Sequence, residues 1–180
     1  MGATISRLWT PEPIWVGLIG LRSAGKTAIV YRLSGNKAPV TPSVDTVDTT
    51  SVHQASQQFH LLDYTGEPKI RPCWRSFMTR VHAVVFVIDS SDRETLPEAK
   101  TELLYLLKEI MLDHQPFLIF ANKQDYPKAM SAAELTEFLD IQQYLERDLK
   151  CCVQGSSAVT GDGLAGGLEW VRQAVRARQG

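Results

Sequence analysis

The sequence predicts an α/β fold, a largely parallel sheet with helices on both faces. Two observations carry that prediction. Short apolar runs alternate with segments of helical period along the chain, and Val84–Ile88 is apolar throughout, as strands covered on both faces are. No repeat, low-complexity stretch or charge block interrupts the alternation, so one domain is expected. The chain has 180 residues, 19 basic and 20 acidic, for a formal net charge of 19 − 20 = −1. Near-zero charge removes the electrostatic argument for a nucleic-acid partner. Hydrophobic residues make up 44% of the chain, and a domain of this length can bury roughly 70% of the surface its unfolded chain exposes. The three cysteines, Cys73, Cys151 and Cys152, form no paired framework, which points to a reducing, intracellular compartment. The longest fully apolar run, Ala83–Ile88, is far short of a membrane span. The first residues lack the apolar stretch of a secretory signal. A cytoplasmic domain is expected.

The elements follow in order. Ile14–Ile19 is short, apolar and stopped by Gly20, which reads as a buried strand. Lys26–Leu33 sets Ile29, Val30 and Leu33 on one helical face, with Gly35 as the stop. Val47–Val52 and Gln58–Leu62 flank a polar turn and read as a hairpin. Val84–Ile88 is apolar throughout, the pattern of a parallel strand. The helix after it has Pro97 in its first turn and Leu103, Leu104, Leu106, Leu107 and Ile110 as a core stripe. Phe117–Ala121 is another buried strand. Ser131 and Glu134 have capping-box spacing, in which each side chain satisfies a backbone N–H of the other residue. Cys151–Val153 is a short strand, its cysteines read as core packing rather than redox chemistry. Leu164–Ala177 closes the chain, with Leu164, Leu168, Val171 and Val175 at helical spacing.

Gly20-Leu21-Arg22-Ser23-Ala24-Gly25-Lys26-Thr27 fits the phosphate-loop pattern G-x-x-x-x-G-K-[ST] and lies between a strand and a helix, the context that supports it. The glycines let the backbone wrap close enough for its N–H groups to meet phosphate oxygens, and the helix adds its positive end. Lys26 reaches the β- and γ-phosphates, and the Thr27 hydroxyl holds Mg²⁺. Ala28 completes the cradle. The pattern does not say which nucleotide binds, or whether the chain is a kinase or a switch.

Asn122-Lys123-Gln124-Asp125 begins where the Phe117–Ala121 strand ends, the place where ligands sit in open α/β sheets. Guanine presents two adjacent donors, N1–H and the 2-amino group, and a carboxylate accepts both. Adenine lacks that pair, so Asp125 selects guanine. The Lys123 stem can lie along the base, and Asn122 can tie the loop to its neighbours. Ser157-Ala158-Val159 can bring a backbone N–H to guanine O6. Asp63-Tyr64-Thr65-Gly66 has D-x-x-G spacing. Asp63 can hold Mg²⁺ through a water, because that ion keeps several waters and few protein ligands. Gly66 can offer its N–H to a γ-phosphate.

Together these residues resemble the Ras-like small GTPases, and within them the ADP-ribosylation-factor (Arf) and Arf-like family, from about Ile14 to Val175. Lys69-Ile70-Arg71-Pro72-x-Trp74-Arg75, Val87-Ile88-Asp89-Ser90-Ser91-Asp92-Arg93, Ala121-Asn122-Lys123-Gln124-Asp125 and Thr160-Gly161-Asp162-Gly163-Leu164 carry the likeness further. The resemblance implies a P-loop NTPase of the small G-protein fold. Its sheet has six strands, mostly parallel, with one antiparallel edge hairpin strand. It also implies GTP/GDP switching with Mg²⁺, an exchange factor, a GTPase-activating protein, membrane-traffic or ciliary effectors, and a monomer. Thr65, in place of the first glycine of the family's G-G-Q, hints at the cilium-associated branch.

Departures from the family mark the switch regions. In switch I, Pro42-Ser43-Val44-Asp45 aligns with Pro-Thr-hydrophobic-Gly, so Ser43 takes the hydroxyl that meets Mg²⁺ and the γ-phosphate, and Asp45 adds charge; Thr41 or Thr46 can serve instead. The family's aromatic effector triad survives only as Thr46, Leu62 and Phe77, so an ordinary Arf effector set is not expected. Glu67 replaces the glutamine that orients the attacking water. An ionised carboxylate only accepts hydrogen bonds; facing a γ-phosphate it is repelled or takes up a proton, and slow intrinsic hydrolysis is expected. Arg22 is equally unusual in the phosphate loop. It pairs with Glu67 across the site, acts as an arginine finger in cis, or simply faces solvent. The candidate catalytic set is Glu67, Lys26 and Arg22; the candidate metal set is Thr27, Ser43 and Asp63.

Met1-Gly2-Ala3-Thr4-Ile5-Ser6 matches the N-myristoylation pattern. Ile5, Leu8 and Trp9 can form an apolar face before Pro11, so residues 1–12 read as an arm ahead of a GTP-binding domain spanning 13–180. In the family such an arm is released on GTP binding and inserts into membrane; one acyl chain anchors marginally. This places the chain in the cytoplasm or peripherally on an intracellular or ciliary membrane. Two functions remain open: a GTP-binding switch with weak GTPase activity, and a nucleotide-locked scaffold that needs no hydrolysis. A nucleoside or nucleotide kinase would need an arginine-rich lid, and the sequence has no such cluster.

Overall fold

A computed structural model describes residues 11–35, 47–110, 115–142, 144 and 151–179. Its strands are Ile14–Ile19 (β1), Asp48–Gln54 (β2), Gln57–Asp63 (β3), Ala83–Asp89 (β4), Phe117–Asn122 (β5) and Cys151–Gly155 (β6). The helices are Lys26–Leu33 (α1), Trp74–Met78 (α2, entered through a 3₁₀ turn at Arg71–Cys73), Leu96–Ile110 (α3), Ala132–Leu139 (α4) and Leu164–Gln179 (α5). The strands make one six-stranded sheet in the order β2-β3-β1-β4-β5-β6. Only β2 runs antiparallel, paired with β3 from Asp48 opposite Asp63 to Gln54 opposite Gln57. Every other pairing is parallel. The carboxyl ends of β1, β4 and β5 therefore open on one edge, where the loops of the site gather.

The alternation of side chains across the sheet separates two apolar layers. On one face α2, α3 and α4 bring Trp74, Met78, Leu96, Leu103, Leu106, Leu107, Leu135 and Leu139 against Phe86, Ile88 and Ile119. On the other, α1 and α5 bring Ile29, Val30, Leu164, Leu168 and Val171 against Val16, Leu18, Phe59, Leu61 and Phe120. Leu104 is half-buried beside the first layer, while the Ile110 side chain lies outside the described residues. Helix α5 comes close to the sheet at Gly167, where a Cβ would stand 2.5 Å from the Phe120 ring. Cys151 packs against the first layer and Cys152 against the second. Burial pushes the Cys151 thiol up to about 12 and raises that of Cys152 as well, so neither is a reactive thiolate at neutral pH.

Local signals explain the element ends. Ser131 Oγ accepts the Glu134 N–H at 3.2 Å and Glu134 Oε2 accepts the Ser131 N–H at 2.8 Å, a complete capping box for α4. Gly35 follows α1 with φ 66°. The hairpin runs longer than the apolar alternation suggests, because polar His53 and Gln54 on the edge strand and Gln57 and Asp63 on its partner continue the ladder. Periodicity does not predict Arg71–Met78 at all. Burial drives that helix, with Trp74 and Met78 0% and 2% exposed. Among the described residues no helix is long and apolar enough to cross a membrane.

Candidate functional site

Strand β1 delivers Gly20 to the sheet edge, and residues 20–27 turn back into α1. Gly25 stands at φ 98°, and a Cβ there would fall 2.3 Å from Asn122 Nδ2; only glycine satisfies both conditions. As the N-cap of α1, Gly25 supplies no side-chain cap, which leaves the first-turn N–H groups for another acceptor. Lys26 is 7% exposed. Its ammonium curls back to donate to the carbonyls of Gly20 and Leu21, both at 2.9 Å. Burial lowers it to about 8, with Asp63 opposing the shift and Arg71 adding to it. Thr27 Oγ1 donates to Asp63 Oδ2 at 2.5 Å. Burial also raises the Asp63 carboxyl, against the Thr27 hydrogen bond and the Lys26 charge and with the help of Asp48.

A buried ammonium, uncapped helix N–H groups and glycine backbone fit a polyphosphate. A hydroxyl and a carboxylate side by side are hard oxygens of the kind Mg²⁺ takes, with water completing its shell. Thr27 and Asp63 can supply them. Ser43, the third metal candidate, lies outside the described residues, as do Thr41, Asp45, Thr46 and residues 1–10 of the arm.

After β3 the D-x-x-G turn lies on the phosphate loop. A Cβ at Gly66 would be 2.5 Å from Arg22 N and from Gly20 O, so a side chain there would push the two loops apart. Arg71 grips the turn from behind. Its Nε donates to Gly66 O at 3.1 Å, and its Nη1 reaches Glu98 and Glu102 of α3 at 2.6 and 3.2 Å. The buried Trp74 indole donates to Thr65 O at 3.2 Å. Glu67 extends towards the phosphate loop, where Arg22 Nε meets its Oε1 at 3.1 Å. Of the three readings of Arg22, the pairing is what the structure contains, and the guanidinium still keeps much of its surface in water.

The base-side residues are joined by a different kind of contact. Asn122, 1% exposed, donates through Nδ2 to Ala24 O at 2.8 Å and accepts through Oδ1 from Ala158 N at 3.3 Å. It thus ties the phosphate loop to the loop after β6. Lys123 has φ 67° and its ammonium sits 2.6 Å from Asp89 Oδ2. Burial pushes the Asp89 carboxyl up, but the hydrogen bonds from Lys123 and Ser91 outweigh it and hold the group below its usual range. Asp125 Oδ1 accepts from Ser157 Oγ at 2.6 Å, leaving lone pairs on a solvent-exposed carboxylate. The Val159 N–H is spent on Ser157 Oγ at 3.2 Å.

The structure thus brings Gly20–Thr27, Asp63, Gly66, Glu67, Asn122, Lys123, Asp125 and Ser157–Val159 to one edge. Of the effector triad, Leu62 and Phe77 are half-buried against the first apolar layer, Phe77 stacked on Tyr64 with ring centroids 4.8 Å apart. Sequence reasoning gave no role to Asp89, Ser90, Ser156 or Arg71. Gln124 belongs with them, since its Nε2 fixes Ser90 Oγ at 2.8 Å and Met130 O at 2.7 Å. The conspicuous Arg71-Pro72-x-Trp74 stretch was the signal for the turn's anchors.

A family model for the ADP-ribosylation factor family matches residues 5–175. Among solved structures, the Arl6 BBS3 small GTPase from Trypanosoma brucei with bound nucleotide analogue GppNp is similar to this chain at 30% identity. The match covers 94% of this chain and 100% of that one, with a TM-score of 0.78.

Proposed function

The chain belongs to the ADP-ribosylation factor family, and from that premise we propose that it is a GTP/GDP-dependent switch with slow intrinsic hydrolysis, acting in membrane or ciliary traffic. Asp125 reads guanine through its exposed carboxylate, and Asn122 holds the base loop and the phosphate loop in one register. Lys26, with its ammonium already inside the cradle, turns from the carbonyls of Gly20 and Leu21 to phosphate oxygens. Thr27, Asp63 and the switch I hydroxyl of Ser43 hold Mg²⁺, which neutralises phosphate charge when bound.

The single observation behind slow hydrolysis is the position of Glu67. Its carboxylate is ion-paired with Arg22 and, ionised, only accepts hydrogen bonds, whereas the glutamine of the family's pattern both donates and accepts. Single-turnover phosphate release tests this. We expect a slow rate that Glu67→Gln accelerates; a fast wild-type rate that Glu67→Gln slows would overturn it. The same contact favours a second reading, a GTP-binding scaffold that recruits partners without turnover. Persistent GTP in purified protein, with no conversion to GDP, is the outcome that selects it.

The traffic assignment draws on the family resemblance and on Thr65. Exchange factor, GTPase-activating protein and effectors follow from the family, and the departure at the Thr46, Leu62 and Phe77 positions argues for an effector set of its own. The arm carrying Gly2, Ile5, Leu8 and Trp9 is the proposed membrane contact; mass spectrometry of eukaryotically expressed protein showing unmodified Gly2 argues against acylation.

A further inference from the structure

Glu67 is fixed by its backbone and committed only at its tip. Its N–H meets Thr65 Oγ1 at 3.3 Å, and its carbonyl accepts from Ile70 at 2.9 Å. Gly66 beside it is pressed onto the phosphate loop and held from behind by Arg71. The side chain alone is free to change partner. Its ion pair is unequal: the Glu67 side chain is 20% exposed, that of Arg22 70%. The contact is made through Nε, and most of the Arg22 side chain remains in water.

A guanidinium in the middle of a phosphate loop has two anions to choose from. Glu67 offers one charge and one contact. The terminal phosphate of a triphosphate offers more charge and a two-pronged match to the fork. Exposed ion pairs are weak enough to be traded. With a diphosphate in the loop, Arg22 and Glu67 neutralise each other. With a triphosphate, an intact pair leaves Arg22 engaged elsewhere while new negative charge arrives beside Glu67.

Resting on the guanine-nucleotide reading above, we infer that Arg22 is a charge-sensing specificity residue, which pairs with Glu67 in the diphosphate state and transfers to the terminal phosphate in the triphosphate state, releasing the Glu67 side chain. The chain thereby registers the third phosphate without the glutamine its relatives carry at position 67.

Titration of the full chain with fluorescent GDP and GppNp, in Mg²⁺, tests the exchange. Arg22→Ala weakens GppNp roughly tenfold and GDP by less than about threefold, and Arg22→Lys recovers part of the loss. Glu67→Gln tightens GppNp about threefold, because it removes the competing anion. The two variants change opposite partners of the pair, so Glu67→Gln decides the matter if Arg22→Ala misfolds. An unchanged GppNp-to-GDP ratio in Arg22→Ala, or in Glu67→Gln where Arg22→Ala misfolds, overturns the Arg22 inference and leaves the switch reading intact. Failure of the wild type to bind either nucleotide overturns both.

Discussion

The base side and the phosphate side of the site are built by different physics. On the base side Ser90, Asn122, Ser156 and Ser157 are at most 1% exposed, and mostly neutral hydrogen bonds join them to backbone groups. Among the described residues no buried side-chain nitrogen or oxygen lacks a partner. The phosphate side is held by charges: Lys26, Asp63, Arg22, Glu67 and Arg71. Burial lowers Lys26 and raises Asp63, so each group is short of the counter-charge it needs. A neutral network can be complete before a ligand arrives. A charged one is completed by the ligand, and that makes it responsive to how many phosphates come.

The contrast can be broken most severely at the point where the two sides touch. Gly25→Ala puts a Cβ on the Asn122 amide at a backbone conformation alanine avoids. We expect a loss of about 3 kcal/mol in urea unfolding. Asp125→Ala sharpens the contrast. It should weaken GDP and GppNp alike, roughly a hundredfold by calorimetry, whereas a phosphate-side change alters their ratio. Arg71→Lys keeps the charge but loses the fork that spans Gly66 O, Glu98 and Glu102. A loss of about 1.5 kcal/mol is expected, read as faster amide exchange across residues 64–70 with the base side unaffected.

The smallest effect comes from pH. Lys26 must be charged to hold phosphate, and in the free protein it deprotonates around 8. GDP affinity is therefore flat below that pH and falls above it, by at most about tenfold per unit. Stability of the nucleotide-free protein moves the other way. Between about 8 and the ordinary value of 10.5 the unfolded chain binds a proton that the native chain has lost, so native stability rises across that window. Lys26→Met removes both dependences.

The two sides also differed in how far they could be read beforehand. Lys26–Leu33, Gly35 and the Ser131–Glu134 box follow from local chemistry, and the structure reproduces them. The phosphate loop and Asn122–Asp125 are contiguous motifs whose atoms act over short stretches. What connects them is not contiguous: Asn122 and Ala24 are 98 positions apart. No spacing rule predicts that an amide will find that carbonyl. Arg22 and Glu67 were legible as partners only because both depart from the family's pattern with opposite charge. Arg71 escaped because its role depends on where α3 passes, and helix Arg71–Met78 escaped because tertiary burial, not periodicity, forms it.

Gly167 shows how a requirement far from any ligand constrains the reading of the base. A side chain at this position would strike Phe120, two residues before Asn122 on the same strand. Helix α5 would have to ride outward, carrying the Ser156–Gly163 loop with it. A side chain at position 167 is thus expected to disturb nucleotide selectivity, although the nearest atoms it would meet belong to an aromatic ring and a leucine.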